Sequence, residues 1–227
     1  MVRRAAALFF FVTFSVAASA HAQRKDTGHW DGGYGKTAKR RSDVTLGASA
    51  GFGLGAGLGY PNEVGQIDNP AFETTTGLGT GGGATFWFGG ALRDWFTFAL
   101  GGTFSSLKSS DSELSGGGFV FRLEAFPLFS LSQGGAMQDL GVSGNFGIGT
   151  ATIKQDGVEK ADGGSISILG VGVFHETWRP GRFTLGPIVE YTHTFSQTLI
   201  AHTATAGVRI AFYSGPSSEP VKTASVR

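Results

Sequence analysis

The chain has no cysteine among its 227 residues. That excludes a disulfide framework and any thiolate metal site, and it leaves the fold to hydrogen bonding and packing. Charge is sparse too: only 15% of residues are charged, and 18 Lys and Arg stand against 17 Asp and Glu. Such a balance offers no basic surface for nucleic acid. Long apolar runs are missing beyond the N-terminal segment, because glycine or a polar residue breaks every later stretch within a few positions. A helix that crosses a bilayer needs roughly 20 strongly apolar residues. A membrane role for the body of the chain therefore takes the form of a barrel or a surface contact.

The N-terminal segment reads "MVRRAAALFFFVTFSVAASAHAQ", two arginines, a short apolar run and then Ala20-His21-Ala22. A charged start, a greasy middle and a small-x-small site are the order of a secretory signal peptide, so residues 1–22 are expected to be removed on export. The rival reading, a retained helical anchor, is opposed by the shortness of the run and by Thr13, Ser15 and Ser19 within it. Without Arg3 and Arg4 the count becomes 16 basic against 17 acidic residues. Residues 23–43 are polar, glycine-rich and locally basic, with Lys36, Lys39, Arg40 and Arg41 close together. They are expected to form a flexible, solvated leader, and residues 214–227 a disordered tail.

Glycine is abundant, and its placement is the most informative feature. From Gly47 to Gly59 every second residue is Gly or Ser, with Leu46, Ala48, Ala50, Phe52, Leu54, Ala56 and Leu58 between them. Glycine weakens a strand and packs against nothing, so a regular row of it calls for a reason on the face where it sits. The same split recurs downstream. Phe119, Phe121, Leu123 and Ala125 alternate with Arg122 and Glu124, and Phe183, Leu185, Val189 and Tyr191 with Thr184, Gly186, Glu190 and Thr192. A soluble sandwich would expose Lys and Glu on its second face. Here that face is Gly, Ser and Thr with isolated charges, which suits the narrow interior of a small barrel.

Eight strands are expected, at about 44–58, 76–89, 93–105, 116–127, 138–152, 164–178, 182–195 and 199–213. Each suffices for the roughly 10 residues of a tilted crossing. Short turns, "GGALRD" and "RPGR", alternate with longer polar loops centred on 60–75, 106–115 and 154–163, although "FSLSQGGAM" is long for its place and "SQT" short. That alternation is the pattern of a transmembrane barrel whose longer loops face outside. Phe86, Trp87, Phe88, Trp95, Phe96, Phe126, Trp178, Phe183, Phe212 and Tyr213 gather at one set of strand ends, as an interfacial girdle would. The sixth strand breaks alternation, with Ile166 and Ile168 on one face and Val171 and Val173 on the other, and a bulge near Gly170 is expected to reconcile them.

Over residues 44–213 the chain resembles the eight-stranded bacterial outer-membrane β-barrel families, those similar to the outer-membrane protein A transmembrane domain and its small relatives. The most specific match is "TAGVRIAF", in which Thr205, Gly207, Ile210 and Phe212 fit the pattern with which such barrels present their last strand to the barrel assembly machinery. In the family that signal ends the chain, whereas here the chain runs on to Arg227. The resemblance implies an all-β, eight-stranded antiparallel up-and-down barrel in the outer membrane, surrounded by outer-membrane lipid.

Four charges fall on the inward face: Arg122, Glu124, Glu190 and Arg209. Unpaired charges in a narrow lumen are costly, so they are expected to pair and plug it. The alternative is a constriction in a narrow passive channel for small or apolar solutes. An enzymatic reading as a lipid A-modifying hydrolase would rest on Glu190, His193 and Ser196, but alternation turns Glu190 away from His193, so no catalytic role is expected. His175, Glu176 and His202 lack the spacing of metal ligands, Asp156, Glu159 and Asp162 lack a calcium-loop pattern, and "GTGGGATF" lacks the Lys of a phosphate-binding loop. No metal or cofactor is expected, and the expected role is structural or surface-interacting, with an extracellular ligand met at the three loops.

Overall fold

The structure, a computed structural model, describes residues 40–129 and 136–215. The signal peptide expected at 1–22, most of the leader and most of the tail lie outside the described residues. Ten strands follow in order: β1 (Asp43–Gly59), β2 (Thr74–Thr75), β3 (Gly79–Arg93), β4 (Phe96–Lys108), β5 (Ser112–Ala125), β6 (Leu140–Gln155), β7 (Val158–Asp162), β8 (Ile166–His175), β9 (Phe183–Phe195) and β10 (Leu199–Tyr213), with a short 3-10 helix at Ala136–Asp139. All but β2 and β7 pair with their neighbours in an antiparallel ring, and β10 closes on β1. The chain is a closed eight-stranded up-and-down barrel.

The register fixes its dimensions. From Gly47 the paired residues run through Trp87, Gly101, Val120, Gly147, Ile168, Thr194 and Ala201, and return to β1 at Gly57, ten residues along. With ~3.3 Å per residue and ~4.8 Å between strands, that stagger tilts the strands by about 40° and gives a backbone radius of about 8 Å. Little room is left inside, and every residue on this circuit faces inward.

The glycine row of β1 finds its reason here. Gly47 and Gly101 are the two register partners of Trp87, and a methyl on Gly47 would enter the indole ring. Further along, a methyl on Gly57 would lie 3.3 Å from Leu114 and 3.4 Å from Ile153. The glycines are the space into which large side chains of other strands fold.

Chain ends and loops sit at opposite ends of the barrel. At the loop end, Asp156 and Gly157 both have positive φ, 51° and 77°, the turn that closes a two-residue hairpin. The expected loop at 154–163 is thus a hairpin of β6 and β7, and much of 106–115 is strand, closed where the Ser109 amide donates to the Ser112 carbonyl. At the termini end the long link between β5 and β6 folds beneath the barrel. Its Phe126 packs edge-on against Phe174 of β8.

The expected bulge near Gly170 is corrected: β8 pairs regularly on both sides there, with Ile166 and Ile168 inward and Val171 and Val173 outward. The irregularity comes later. Phe174 pairs with Ile188 and Trp178 with Leu185, four residues on one strand against three on the other. One extra residue is therefore inserted between His175 and Thr177, opposite Gly186 and Pro187. Proline has no amide to offer a ladder and glycine no side chain to obstruct the kink. Glu176 continues the inward line of Ile166, Ile168 and Phe174 and is buried, and the bulge shifts the parity after it, so that Trp178 faces outward.

Outward, the barrel is apolar. Leu46, Phe52, Phe86, Phe88, Leu100, Phe104, Phe119, Ile148, Val171, Val189 and Val208 are all exposed. Among the expected girdle residues Phe86, Phe88, Trp95, Trp178 and Phe183 do face outward, whereas Trp87, Phe126 and Tyr213 are buried inside. Trp87 follows Thr85 at a spacing of two, so the alternation of β3 itself sends it inward.

Gly47→Val is expected to push Trp87 out of place and destabilise the barrel by about 1–3 kcal/mol or more. Gly144→Ala, whose methyl would meet nothing within 4 Å, is expected to be neutral. Urea unfolding of the refolded barrel, followed by heat-dependent gel migration, separates the two.

Candidate functional site

The lumen is the one region where sequence-selected charges converge. Arg122 donates from Nε to Glu124 at 2.9 Å and from Nη1 to Glu190 at 2.7 Å, and Arg209 donates from Nη2 to Glu124 at 2.8 Å. Glu190 also accepts from Ser49 at 3.1 Å, and Glu124 from Thr97 at 3.1 Å. All four expected residues therefore meet in one network, carried inward by β5, β9 and β10.

The network extends beyond them toward the termini end. Glu176 accepts from Arg209 Nη1 at 3.0 Å and from the Tyr213 hydroxyl at 2.7 Å on one oxygen, and from Arg41 Nη2 at 2.8 Å on the other. Arg179 pairs with the same carboxylate. Arg41 further donates to Asp139 at 2.8 Å and to the Asp94 carbonyl at 2.9 Å, while Arg40 holds Asp139 at 2.7 Å and Gln138 at 2.6 Å. A string of alternating charge results: Arg41, Glu176, Arg209, Glu124, Arg122, Glu190.

This corrects the boundary of the leader. Arg40 and Arg41, expected in a solvated tether, are part of the barrel's floor, and Arg41 is completely buried. The cause is the carboxylates of Asp139 and Glu176 above the end of β1, which would otherwise be buried with less compensation. The long β5–β6 link has its use here too, since it brings Gln138 and Asp139 under the barrel.

Aromatic rings pack the cations. Arg41 lies 3.3 Å over the centre of the Phe126 ring, Arg209 lies 4.2 Å over Phe174, and Arg122 lies 4.4 Å over Trp87. Desolvated cation–π contacts of this kind contribute about 2 kcal/mol. They also exclude water from the ion pairs.

Above the network is a cavity of about 40 Å³, lined by Thr85, Thr103, Thr192, Thr203, Thr205 and Glu190 among others. It has room for roughly one to three water molecules. Beyond it, toward the loop end, the lumen is filled by Leu107, Leu114, Ile153, Ile166, Ile168 and Leu199, all buried against one another. The lumen expected to be polar is so only from the termini end to its middle. In its loop-end half, the space left by the glycines of β1 is taken by branched aliphatic side chains.

The other sequence candidates do not assemble. Glu190 points inward, while His193 faces outward on β9, stacked on His202 at 4.6 Å between ring centres. Ser196 Oγ accepts from the amides of Thr198 and Leu199 and so ties the β9–β10 turn. No three-residue group of metal-binding type occurs among the described residues. In the last strand Thr205 and Gly207 face the lumen, and Ile210 and Phe212 face outward, with Phe212 against Phe183 at 5.1 Å.

Sequence reasoning missed Arg41, Asp139, Glu176 and Trp87. Trp87 was legible, because strict alternation along β3 puts it with Thr85. Glu176 was legible too, two residues beyond the inward Phe174, but the bulge expected near Gly170 reversed the parity from there on and hid it.

Burial would raise the carboxyl of Glu176, but the charges of Arg41, Arg209 and Arg179 and the Tyr213 hydroxyl outweigh it and hold it at about 2, below its ordinary 4.5. A depressed carboxyl contributes stability that is full above the unfolded value and is lost as pH falls through the folded one. The floor is therefore expected to weaken between about pH 4.5 and pH 2 and to be insensitive to pH above that window. Glu176→Gln should flatten this part of the pH profile of urea unfolding. Arg209→Ala strips one partner from each of two buried carboxylates and is expected to cost about 3–5 kcal/mol at pH 7. Lys108→Ala, which breaks a solvent-exposed pair with Glu113, should cost under about 1 kcal/mol in the same assay.

No family model matches the chain, and no curated protein matches it. Among solved structures it is similar to Neisserial surface protein A (TM-score 0.46, 13% identity, 74% of this chain and 96% of that one). It is also similar to the outer membrane protein OprG from Pseudomonas aeruginosa (TM-score 0.41, 11% identity, 78% and 100%). A third is Ail, the attachment invasion locus protein of Yersinia pestis (TM-score 0.41, 12% identity, 74% and 99%). At that distance the likeness adds nothing to the barrel that the hydrogen-bonded register already establishes.

Proposed function

We propose that the chain is an integral outer-membrane barrel with a sealed lumen, exported by the segment at 1–22, with both termini in the periplasm. Its contacts with other molecules are made by its outer surfaces, and it is neither a channel nor an enzyme. The membrane setting follows from the exterior. Monomeric soluble proteins rarely expose contiguous apolar patches beyond a few hundred Å², and here the whole circumference is one. Acyl chains are the solvent that such a surface suits, and Thr205, Gly207, Ile210 and Phe212 are the residues offered to the barrel assembly machinery.

One observation supports the non-channel reading: paired charges and buried aliphatic side chains occupy the lumen at successive levels. A floor centred on Arg41, the Arg209–Glu124–Arg122 layer and the aliphatic cap follow one another along the lumen, and the cavity between the last two is about 40 Å³. An ion would have to break paired buried charges and then enter a dry aliphatic layer. What remains for recognition is the loop end, at 60–75, 106–115 and 154–163, where an extracellular ligand would be met.

Single-channel recording in a planar bilayer tests this, with folding verified by heat-dependent gel migration. Folded wild-type protein is expected to be silent, and Arg122→Ala and Arg209→Ala also, because the aliphatic cap survives both changes. Steady openings from folded wild-type barrel would overturn the sealed-lumen reading.

A further inference from the structure

We infer that the groove between the first loop (60–75) and the β6–β7 hairpin is a docking site for a basic polypeptide segment. The inference rests on the reading above, in which this end of the barrel faces outside and meets an extracellular ligand. The groove has a volume of about 620 Å³, against about 40 Å³ for the cavity in the lumen. That is the size of a site that takes several side chains rather than an ion or a few waters.

Its first support is charge without a counterpart. Glu63 and Glu73 line the groove from the loop and Glu159 and Asp162 from the hairpin, with Lys160 as the one basic residue of the lining. Residues 60–78 hold no Lys, Arg or His, although Glu63, Asp68 and Glu73 lie among them. In the lumen and at its floor the carboxylates of Glu124, Glu176, Glu190 and Asp139 are each held by arginine. Among the described residues none of the four groove carboxylates makes an ion pair. Glu63 accepts from Gln66, Glu73 from the Tyr60 hydroxyl at 2.9 Å, and Asp162 from the Gly164 amide at 2.8 Å. A cation brought from outside supplies the missing partner, and opposite charges across a contact steer encounter and set partner choice.

The second support is shape, which decides what carries that cation. The four acids are divided between two walls, and no group among the described residues could hold a metal ion. Pro61, Ala71, Phe72 and Ala161 add apolar surface to the same lining, and Phe72 is exposed. Lys and Arg lay their aliphatic stems on such surface while the charged head reaches a carboxylate, and an aromatic ring takes a guanidinium on its face. Both walls are also anchored in advance. The Thr76 amide donates to the Gly57 carbonyl at 2.9 Å behind the loop, and the Asp162 amide donates to the Tyr60 carbonyl at 3.3 Å between loop and hairpin. A groove held in this way loses little order on binding.

The probe is a fluorescein-labelled hexa-arginine peptide, read by fluorescence anisotropy at about 0.15 M salt, where charges more than about 8 Å apart are largely screened. The exported chain, from Gln23, is placed in phosphatidylcholine nanodiscs, which carry no net charge and leave both ends of the barrel open, and its folding is checked by heat-dependent gel migration. Wild-type protein is expected to bind hexa-arginine and not hexa-glutamate. Glu73→Gln combined with Glu159→Gln takes one charge from each wall and keeps an oxygen for the Tyr60 hydroxyl, and it should weaken binding about tenfold or more. Asp111→Asn combined with Asp156→Asn removes the same charge from loop-end residues that do not line the groove, and should change the affinity less than about twofold. No binding of hexa-arginine, or equal loss in the two double variants, would overturn the groove as the site. Spermidine binding as tightly as the peptide would overturn a polypeptide as its occupant. Folded barrel that stays out of nanodiscs overturns the membrane reading alone, and the same titration in zwitterionic micelles then decides the groove.

Discussion

A barrel about 8 Å in radius leaves its inward side chains little water to face, so each charge placed there must find its opposite within the same few ångströms. Glu176 is where that constraint is met most fully. One carboxylate oxygen is held by Arg41, just ahead of the first strand, and the other by Arg209 and Tyr213 of the last. The two strands that must meet to close the ring are therefore tied to a common post. Other local irregularities serve the same arrangement. The bulge beside Glu176, with Pro187 opposite, turns the chain outward only after that carboxylate, and Asp139 accepts from the same Arg41 Nη2 that donates to Glu176.

Glycine is the other half of the design. A side chain as large as Trp87 fits inside only because both of its register partners are glycines, and the same logic puts Leu114 and Ile153 over Gly57. The entropic cost of glycine in a strand, of order 0.5–1 kcal/mol each, is offset by burial of the large side chains it admits, at ~1.5–3 kcal/mol apiece. Small residues outside have the opposite consequence. Gly82 and Ala206 leave Phe52 standing clear, so small residues allow close packing within the lumen and leave an uncovered ring on the surface.

Much of this was legible from residue order. Two-residue alternation locates all eight barrel strands, and it turns Arg122, Glu124, Glu190 and Arg209 inward. It also separated Glu190 from His193. What alternation could not reach was chain beyond a strand: Arg41 lies ahead of β1 and Asp139 in a 3-10 turn, and their charges hold them together. Glu176 keeps the inward parity of Phe174, and only the bulge expected near Gly170 turned it the wrong way. Composition misled at the loop end of the lumen, because the glycines that suggested an open polar interior are the places where aliphatic side chains from facing strands come to rest.

The aliphatic cap bears on the surface as well as on the lumen. Ala161 of the β6–β7 hairpin is buried in the same cluster as Ile153 and Leu199, and Gly59 leaves room for its methyl. The Asp162 amide donates to the Tyr60 carbonyl at 3.3 Å, and the Tyr60 amide to the Thr198 carbonyl at 2.8 Å, so the hairpin, the start of the first loop and the last turn are joined across the mouth. Thr198 adds a hydroxyl donation to the Asp162 carbonyl at 2.7 Å. Residues that pack the loop end of the lumen are thus the ones that fix the relative positions of its loops. An open lumen at this radius would release those loops from a common footing, and a surface meant for recognition gains from having its backbone held in advance. Packing the loop end of the interior and holding the loops in place are, in this chain, the outcome of the same contacts.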